Sequence, residues 1–163
     1  MEKFKKVLFS VMFWVVSLTW GILLTTIGGI GTLVLNIAQG VAKLFKKDLK
    51  IKTHINGCTL ITEVGGNWGG FEMGAFAFCG NYSETSKEWF EHTRKHEFGH
   101  SLQHLYMGPF FIFIVAIPSA CRYWYQRIMI KKGKKFPEGW YDSAWFEGGA
   151  TKWGTKVVDW FEK

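Results

Sequence analysis

The stretch His96-Glu97-Phe98-Gly99-His100 has the pattern H-E-x-x-H, and the rest of the chain is best interpreted around it. On a helix, two histidines four residues apart lie on one face, with their Cβ atoms about 6 Å apart. Two imidazoles placed in this way can bind one Zn²⁺, and the intervening glutamate can act as a general base towards a zinc-activated water. The stretch therefore predicts a helix with His96 and His100 as metal ligands and Glu97 as a catalytic base.

A third ligand is needed, because catalytic zinc usually takes three protein ligands and leaves one position for water. The candidates in the sequence are His54, His92, His104, Asp142 and Glu147. Eight residues of a straight helix rise about 12 Å, whereas zinc–nitrogen bonds are about 2.0–2.1 Å long. His104 lies eight residues beyond His96 and therefore cannot share an ion with it. The same distance excludes His92, which lies eight residues before His100.

Glu147 is the residue that we expect to complete the metal site. It lies in a second predicted helix over residues 140–162, and Ala150 is small enough to let two helices pack closely around an ion. Asp142 is the reserve candidate. A reaction also needs a group that stabilises a developing oxyanion or orients a ligand. The candidates for these roles are His104, Gln103, Tyr123 and Tyr141.

Four short stretches carry a resemblance to a known group of proteins. They are residues 96–103 (H-E-F-G-H-S-L-Q), 108–111 (G-P-F-F), 117–119 (I-P-S) and 145–150 (W-F-E-G-G-A). Together they resemble the pattern H-E-x-G-H-x-x-Q, G-P, P-S and T-E-x-x-A-D of small bacterial membrane-associated zinc metallopeptidase-like proteins, which are gluzincin-like. The resemblance covers about residues 60–155 and implies a Zn²⁺ site. Phe146 and Thr151 stand where the pattern prefers Thr and Asp, and that Asp would be a partner for a zinc-bound histidine.

The N-terminal part of the chain predicts a membrane anchor over residues 1–48. Residues 7–42 carry no charged side chain. Within them, Val7–Ile27 reaches the length of about 20 residues that spans a bilayer, and it exceeds the apolar region of about 7–15 residues in a secretory signal. Two alternatives stay open, namely a helical hairpin broken at residues 28–31 and an interfacial segment over residues 33–45.

The basic residues flank this apolar segment. Residues 1–52 contribute +6 to the formal net charge of +7, and residues 53–163 contribute only +1. Such flanking clusters favour a lipid bilayer with anionic headgroups over nucleic acid, for which no binding motif is present. By the positive-inside rule, a single span and a hairpin both place the main domain on the cytoplasmic side, and we expect a bacterial inner membrane. A second basic run, residues 122–135, follows the apolar stretch 110–117, for which we expect a buried or membrane-dipping segment.

The remaining sequence predicts an α+β domain over residues 49–163. Strands are predicted over residues 49–55, 58–64 and 71–79, and helices over residues 86–107 and 140–162. Asn56-Gly57 predicts the first hairpin turn, Thr85 with Glu88 predicts a capping box, and Gly108-Pro109 predicts a helix end. These elements predict a small antiparallel sheet packed on a zincin-like pair of helices, behind an N-terminal transmembrane helix or helical hairpin. The three cysteines are expected to be reduced thiols, with a Cys58–Cys79 bridge as the alternative.

The function expected from these features is that of a membrane-anchored zinc metallopeptidase. Its substrate would be a peptide or a membrane-protein segment, and the strand near residues 71–78 would bind the substrate backbone or serve only the sheet. The alternative is a non-catalytic, zinc-stabilised membrane protein that acts as a binding or immunity-type partner. A third possibility is a membrane protein in which the H-E-x-x-H helix binds no metal.

Overall fold

The structure, a computed structural model, describes residues 1–66, 68–80 and 86–163. Its main elements, in chain order, are α1 (Glu2–Thr19), α2 (Ile22–Leu44), β1 (Lys52–Asn56), β2 (Thr59–Val64), β3 (Gly70–Met73), β4 (Phe76–Gly80), α3 (Lys87–Met107), α4 (Ile117–Lys131) and α5 (Trp145–Glu162). Short 3-10 turns cover Gly108–Phe110 and Tyr141–Ser143, and a π-helical turn covers Ile112–Ala116. The described chain is therefore an α+β protein, as predicted, with one four-stranded sheet.

The first two helices correct the position of the predicted span. Helix α2 is long and apolar enough to cross a membrane, so the candidate span is Ile22–Leu44 rather than Val7–Ile27. The difference arises because the helix is interrupted at Trp20 and Gly21, inside the predicted span. The joint lies close to α3, since a Cβ atom on Gly21 would lie 3.0 Å from Cε1 of His104 and would crowd that imidazole.

Helix α2 turns its polar face towards the sheet. The hairpin break considered at residues 28–31 is wrong, and residues 33–45 do not form a separate interfacial segment, because α2 continues from Ile22 to Leu44. A Cβ atom on Gly28 would lie 2.5 Å from the carbonyl oxygen of Met73 in β3, so glycine serves close packing here. The residues of α1, α2 and their joint that are buried are mostly small or polar, namely Phe13, Ser17, Gly21, Thr25, Gly28, Thr32 and Gln39. The exposed face of α2 is apolar and includes Leu23, Ile30, Leu33, Val34 and Ile37. This arrangement is the reverse of a surface helix in water.

The sheet is mixed rather than antiparallel, and its strand order is β1-β2-β4-β3. Strands β1 and β2 form an antiparallel hairpin, as do β3 and β4, but β2 and β4 are parallel. The single strand predicted over residues 71–79 is divided in two by a turn at Gly74, which has a φ of 71° that glycine adopts readily. Strand β3 consequently lies at an edge of the sheet. The alternation of polar and apolar residues predicts where a strand lies. It does not predict which strand pairs with which, because pairing depends on residues far apart in the sequence.

Helix α1 contributes to the main apolar core. Phe13 is 1 % exposed, and its ring stacks on that of Phe98 in α3 with 6.2 Å between the centroids. Phe9 makes an edge contact with Phe161 near the end of α5. The core therefore joins the first helix to α3 and α5, and residues 1–48 are part of the folded body.

The chain after α3 forms a bent helical segment. Helix α3 ends at Gly108, as predicted, where φ is 56°. The helices on the two sides of this point are bent by 117° relative to each other. Pro118 lies at the start of α4 and has no N–H to donate to the carbonyl of Ile114, which accounts for the π-helical turn that precedes it.

Candidate metal centre

Helix α3 carries the H-E-x-x-H residues in its middle. Its N-cap is Ser86, whose hydroxyl accepts a hydrogen bond of 3.2 Å from the N–H of Trp89. The predicted capping residue, Thr85, lies outside the described residues, and the cap falls one residue later. His96 and His100 are both buried, and their Nε2 atoms lie 3.0 Å apart on one face of the helix, as the spacing predicts.

Helix α5 packs so closely on α3 that the two backbones touch. A Cβ atom on Gly99 would overlap the carbonyl oxygen of Ala150, and one on Gly154 would overlap the carbonyl oxygen of Lys95. Glycine at position 99, between the two histidines, is therefore a packing requirement of the helix pair. The close approach places Glu147, on the same buried face of α5 as Ala150 and Gly154, against the histidines of α3.

The three predicted ligands converge on one point. Oε2 of Glu147 lies 3.1 Å from Nε2 of His96 and 3.3 Å from Nε2 of His100. Glu147 is completely buried, and the two histidines are less than one tenth exposed. These three residues form a buried His-His-Glu group that can bind a metal ion.

The other ring nitrogens of the two histidines are held by side chains. Nδ1 of His100 donates a hydrogen bond of 2.9 Å to Oε1 of Gln103, and Nε2 of Gln103 donates one of 2.7 Å to the carbonyl oxygen of Phe146. Nδ1 of His96 lies 2.8 Å from the hydroxyl oxygen of Thr151. These contacts leave both Nε2 atoms directed towards Glu147. Such contacts orient imidazole ligands and fix their tautomers.

The charges within the site are strongly coupled. Burial alone would lower the pKa of His100, but its hydrogen bond to Glu147 and nearby carboxylates raise this pKa to about 9. Burial would raise the pKa of Glu147, yet hydrogen bonds with His100 and His96 hold it well below its usual range. Burial raises the pKa of Glu97, although the neighbouring imidazoles oppose that shift.

A cavity of about 580 Å³ opens onto these residues. It is enclosed by the edge strand β3, helix α3, the helical segment after Gly108 and the turn that precedes α5. The lining side chains that bear on chemistry are His96, Glu97, His100, Ser119, Tyr123 and Tyr141. Oε1 of Glu97 lies so close to Gly70 of β3 that a Cβ atom there would be 2.7 Å away, so the general-base candidate faces the edge strand.

His104 is placed away from the three ligands, as the helix geometry requires. Its Nδ1 lies 3.2 Å from Oε1 of Glu72 in β3, and both side chains are 1 % exposed. Burial raises the pKa of Glu72, and the neighbouring His104 imidazole opposes that shift. Sequence reasoning missed Glu72. Its one signal was an acidic residue between the apolar Phe71 and Met73 of a predicted strand.

The remaining candidates occupy the rim of the cavity or lie elsewhere. The hydroxyl of Tyr141 lies 3.0 Å from that of Ser119, a residue that the sequence analysis did not select. Asp142, the reserve ligand, lies 3.9 Å from His92 at the rim of the cavity rather than with the ligands. His54 lies 3.5 Å from Glu63 within the sheet.

Comparisons with protein-family models, with curated proteins and with solved structures find no match to this chain.

Proposed function

We propose that this chain is a membrane-anchored, zinc-dependent metallopeptidase of gluzincin-like type that hydrolyses peptide bonds. The observation that carries the proposal is the convergence of His96, His100 and Glu147, with the two histidines lining a cavity together with Glu97. Helix α2 serves as the anchor in this proposal, and the metal centre lies on the cytoplasmic side of a bacterial inner membrane. In this proposal the α3–α5 pair, with the sheet beside it, is the zincin-like packing predicted from the sequence.

The donor set supports zinc as the metal. Two imidazole nitrogens and one carboxylate oxygen are a ligand combination that catalytic zinc sites use, with a fourth position left open. Tetrahedral bonds of about 2.0–2.1 Å place neighbouring ligand atoms about 3.3–3.4 Å apart. The three observed separations of 3.0, 3.1 and 3.3 Å are close to that value. The chemistry that a bound zinc ion supplies is Lewis acidity towards a carbonyl group and a water molecule.

Glu97 is the proton carrier in the proposed reaction. A water molecule adds to the carbonyl carbon of the peptide bond, and its proton passes to the Glu97 carboxylate. The C–N bond then breaks, and the same proton passes from Glu97 to the leaving amine. The hydroxyl of Tyr141, which also faces the cavity, is the donor that we assign to the developing oxyanion.

The edge strand β3 is the proposed binding site for the substrate backbone. One side of β3 pairs with β4, and the strand lies at the edge of the sheet. Gly69, Gly70 and Phe71 line the cavity beside Glu97. An extended peptide that pairs with this edge would pass directly over the metal ligands.

The substitution Glu97→Gln tests this function. Zinc measured by elemental analysis of the detergent-purified protein should be stoichiometric in both the wild type and the variant, because Glu97 is not a ligand. Cleavage of a peptide library should fall by about 10²–10⁴-fold, the usual contribution of a positioned acid–base group.

The matched control is Glu88→Gln, which changes an exposed acid in the first turn of the same helix and should leave cleavage unchanged. The proposal is contradicted if the purified protein lacks stoichiometric zinc. It is also contradicted if the Glu97→Gln variant still cleaves peptides. If zinc is present and the cellular role survives Glu97→Gln, the chain acts instead as a zinc-stabilised binding partner.

A further inference from the structure

The helical segment after Gly108 carries an exposed apolar stripe. Phe113, Ile117, Trp124 and Ile128 are 69, 49, 62 and 49 % exposed. With the exposed Cys121 they are spaced three or four residues apart, so that they follow one face of the helical segment. A continuous apolar stripe of this length on a protein surface indicates a binding surface.

The opposite face of the same segment forms a wall of the metal cavity. Phe111 and Val115 are buried there, and Ser119 and Tyr123 line the cavity. Arg122 fixes the helix in place, because its Nε donates a hydrogen bond of 2.9 Å to the carbonyl oxygen of Tyr141. The exposed stripe is therefore the outer face of a well-packed helix.

The end of α4 is strongly basic. The exposed cations at this end are Arg127, Lys131, Lys132, Lys134 and Lys135, and residues 122–135 contain no acidic side chain. Apolar side chains on one helix face, followed by a cluster of cations, are typical of a helix that lies at the surface of an anionic bilayer.

The stripe is continuous with the candidate membrane span. Trp20 lies at the joint between α1 and α2, and its ring is 6.5 Å from that of Phe110; the two side chains are 48 and 59 % exposed. Gly108 packs directly on the Trp20 indole, where a Cβ atom would overlap the ring. The apolar surface of α2 thus passes into that of the helical segment at this contact.

We propose that residues 110–131 form a second membrane contact, in which the apolar stripe lies in the outer hydrocarbon region and the basic end binds anionic phospholipid headgroups. The occupant is lipid rather than another protein because the charge of α4 matches anionic headgroups and the stripe adjoins the span. The contact involves neither the metal nor the reaction. A test of this contact is therefore independent of the proposed peptidase activity.

Cys121 allows a direct test in the full-length wild-type chain. Cys58 and Cys79 are buried, so an environment-sensitive fluorophore attached through a thiol reports on position 121 in the stripe. The labelled protein is placed in nanodiscs of phosphatidylcholine and phosphatidylglycerol, in which both membrane faces are accessible. Brominated phosphatidylcholine should quench the label at least about twofold, and aqueous iodide should quench it weakly, as expected for a side chain at the hydrocarbon boundary.

The control carries the label at an exposed position of α5, in the variant Cys121→Ser with Lys152→Cys. Iodide should quench this label strongly, and brominated lipid should leave it unchanged. A Cys121 label that iodide reaches as readily as the control overturns the proposal. Protection from iodide without quenching by brominated lipid also overturns it, because a protein then covers the stripe. Equal quenching in discs with and without phosphatidylglycerol overturns the role of the basic end.

Discussion

The contact between His96 and Thr151 sets the orientation of one of the proposed metal ligands. Nδ1 of His96 lies 2.8 Å from the threonine hydroxyl, at a position where the resembled pattern prefers aspartate. A hydroxyl can accept the Nδ1 hydrogen as a carboxylate does, but it brings no charge to the imidazole. The site thus keeps the geometry of an oriented ligand without the added basicity that a carboxylate gives.

Replacement of Thr151 by valine should weaken zinc binding by about 10–100-fold, the usual effect of losing a partner of a ligating histidine. Valine keeps the shape of threonine and removes the hydroxyl. The affinity is measured by competition with a chromogenic chelator. Thr155→Val makes the same change one turn further along α5 and should leave the affinity unchanged. An unaltered affinity in Thr151→Val would show that the hydroxyl does not orient His96.

At the scale of elements, the proposed metal centre depends on the contact between the α3 and α5 backbones. A side chain on Gly99 would overlap the carbonyl oxygen of Ala150, which lies three residues after Glu147. The Gly99→Ala variant should therefore push α5 away from α3 and remove Glu147 from the histidines. We expect loss of stoichiometric zinc and a decrease of about 1–3 kcal/mol in the free energy of unfolding, the usual cost of overpacking.

Zinc content and thermal unfolding in detergent check this expectation. Gly40→Ala is the matched control, because Gly40 lies in helix α2 with no other atom within 4 Å of the added Cβ. That variant should keep both the zinc and the stability. Full zinc occupancy in Gly99→Ala would mean that the two helices can separate without loss of the site.

Local patterns predicted the parts of this site that lie within one helix turn of each other. His96, Glu97 and His100 follow from spacing, and Glu147 was selected because a small residue follows it in a second helix. Glu72 was not found, since its partner His104 comes from a strand–helix contact between residues 32 positions apart. The mixed sheet was missed for the same reason, because the pairing of β2 with β4 depends on the chain placing β3 at the edge.

At the scale of the whole molecule, the N-terminal helices pack on the elements that carry the proposed metal centre. Phe13 of α1 stacks on Phe98, which lies between the two histidine ligands in sequence, and Gly28 of α2 packs on Met73 of the edge strand. The sequence predicts an anchor over residues 1–48 and a separate domain over residues 49–163. Expression of the second part alone tests whether the two are independent.

Residues 49–163 expressed alone should fail to form a cooperative, zinc-binding fold. This fragment lacks Phe13, a buried aromatic residue. Truncation of such a ring typically lowers the free energy of unfolding by about 3–5 kcal/mol. Zinc content and the thermal unfolding profile of the fragment are the measurements, with the full chain as reference. Co-expression of residues 1–48 as a separate chain should restore both. A fragment that folds and binds zinc by itself would show that the helices are only a tether.

The polar inner face of α2 has a consequence for how the protein is assembled. Thr32 and Gln39 are buried, the Thr32 hydroxyl lies 3.5 Å from that of Thr62 in β2, and Gln39 accepts a hydrogen bond of 3.0 Å from the N–H of Leu49. Facing hydrocarbon, these polar groups would lack such partners at a cost in free energy. The helix emerges from the ribosome before the residues that cover it. In the proposal that α2 crosses a membrane, its stable insertion must therefore wait for the sheet, so membrane integration and folding become a single late event in biogenesis.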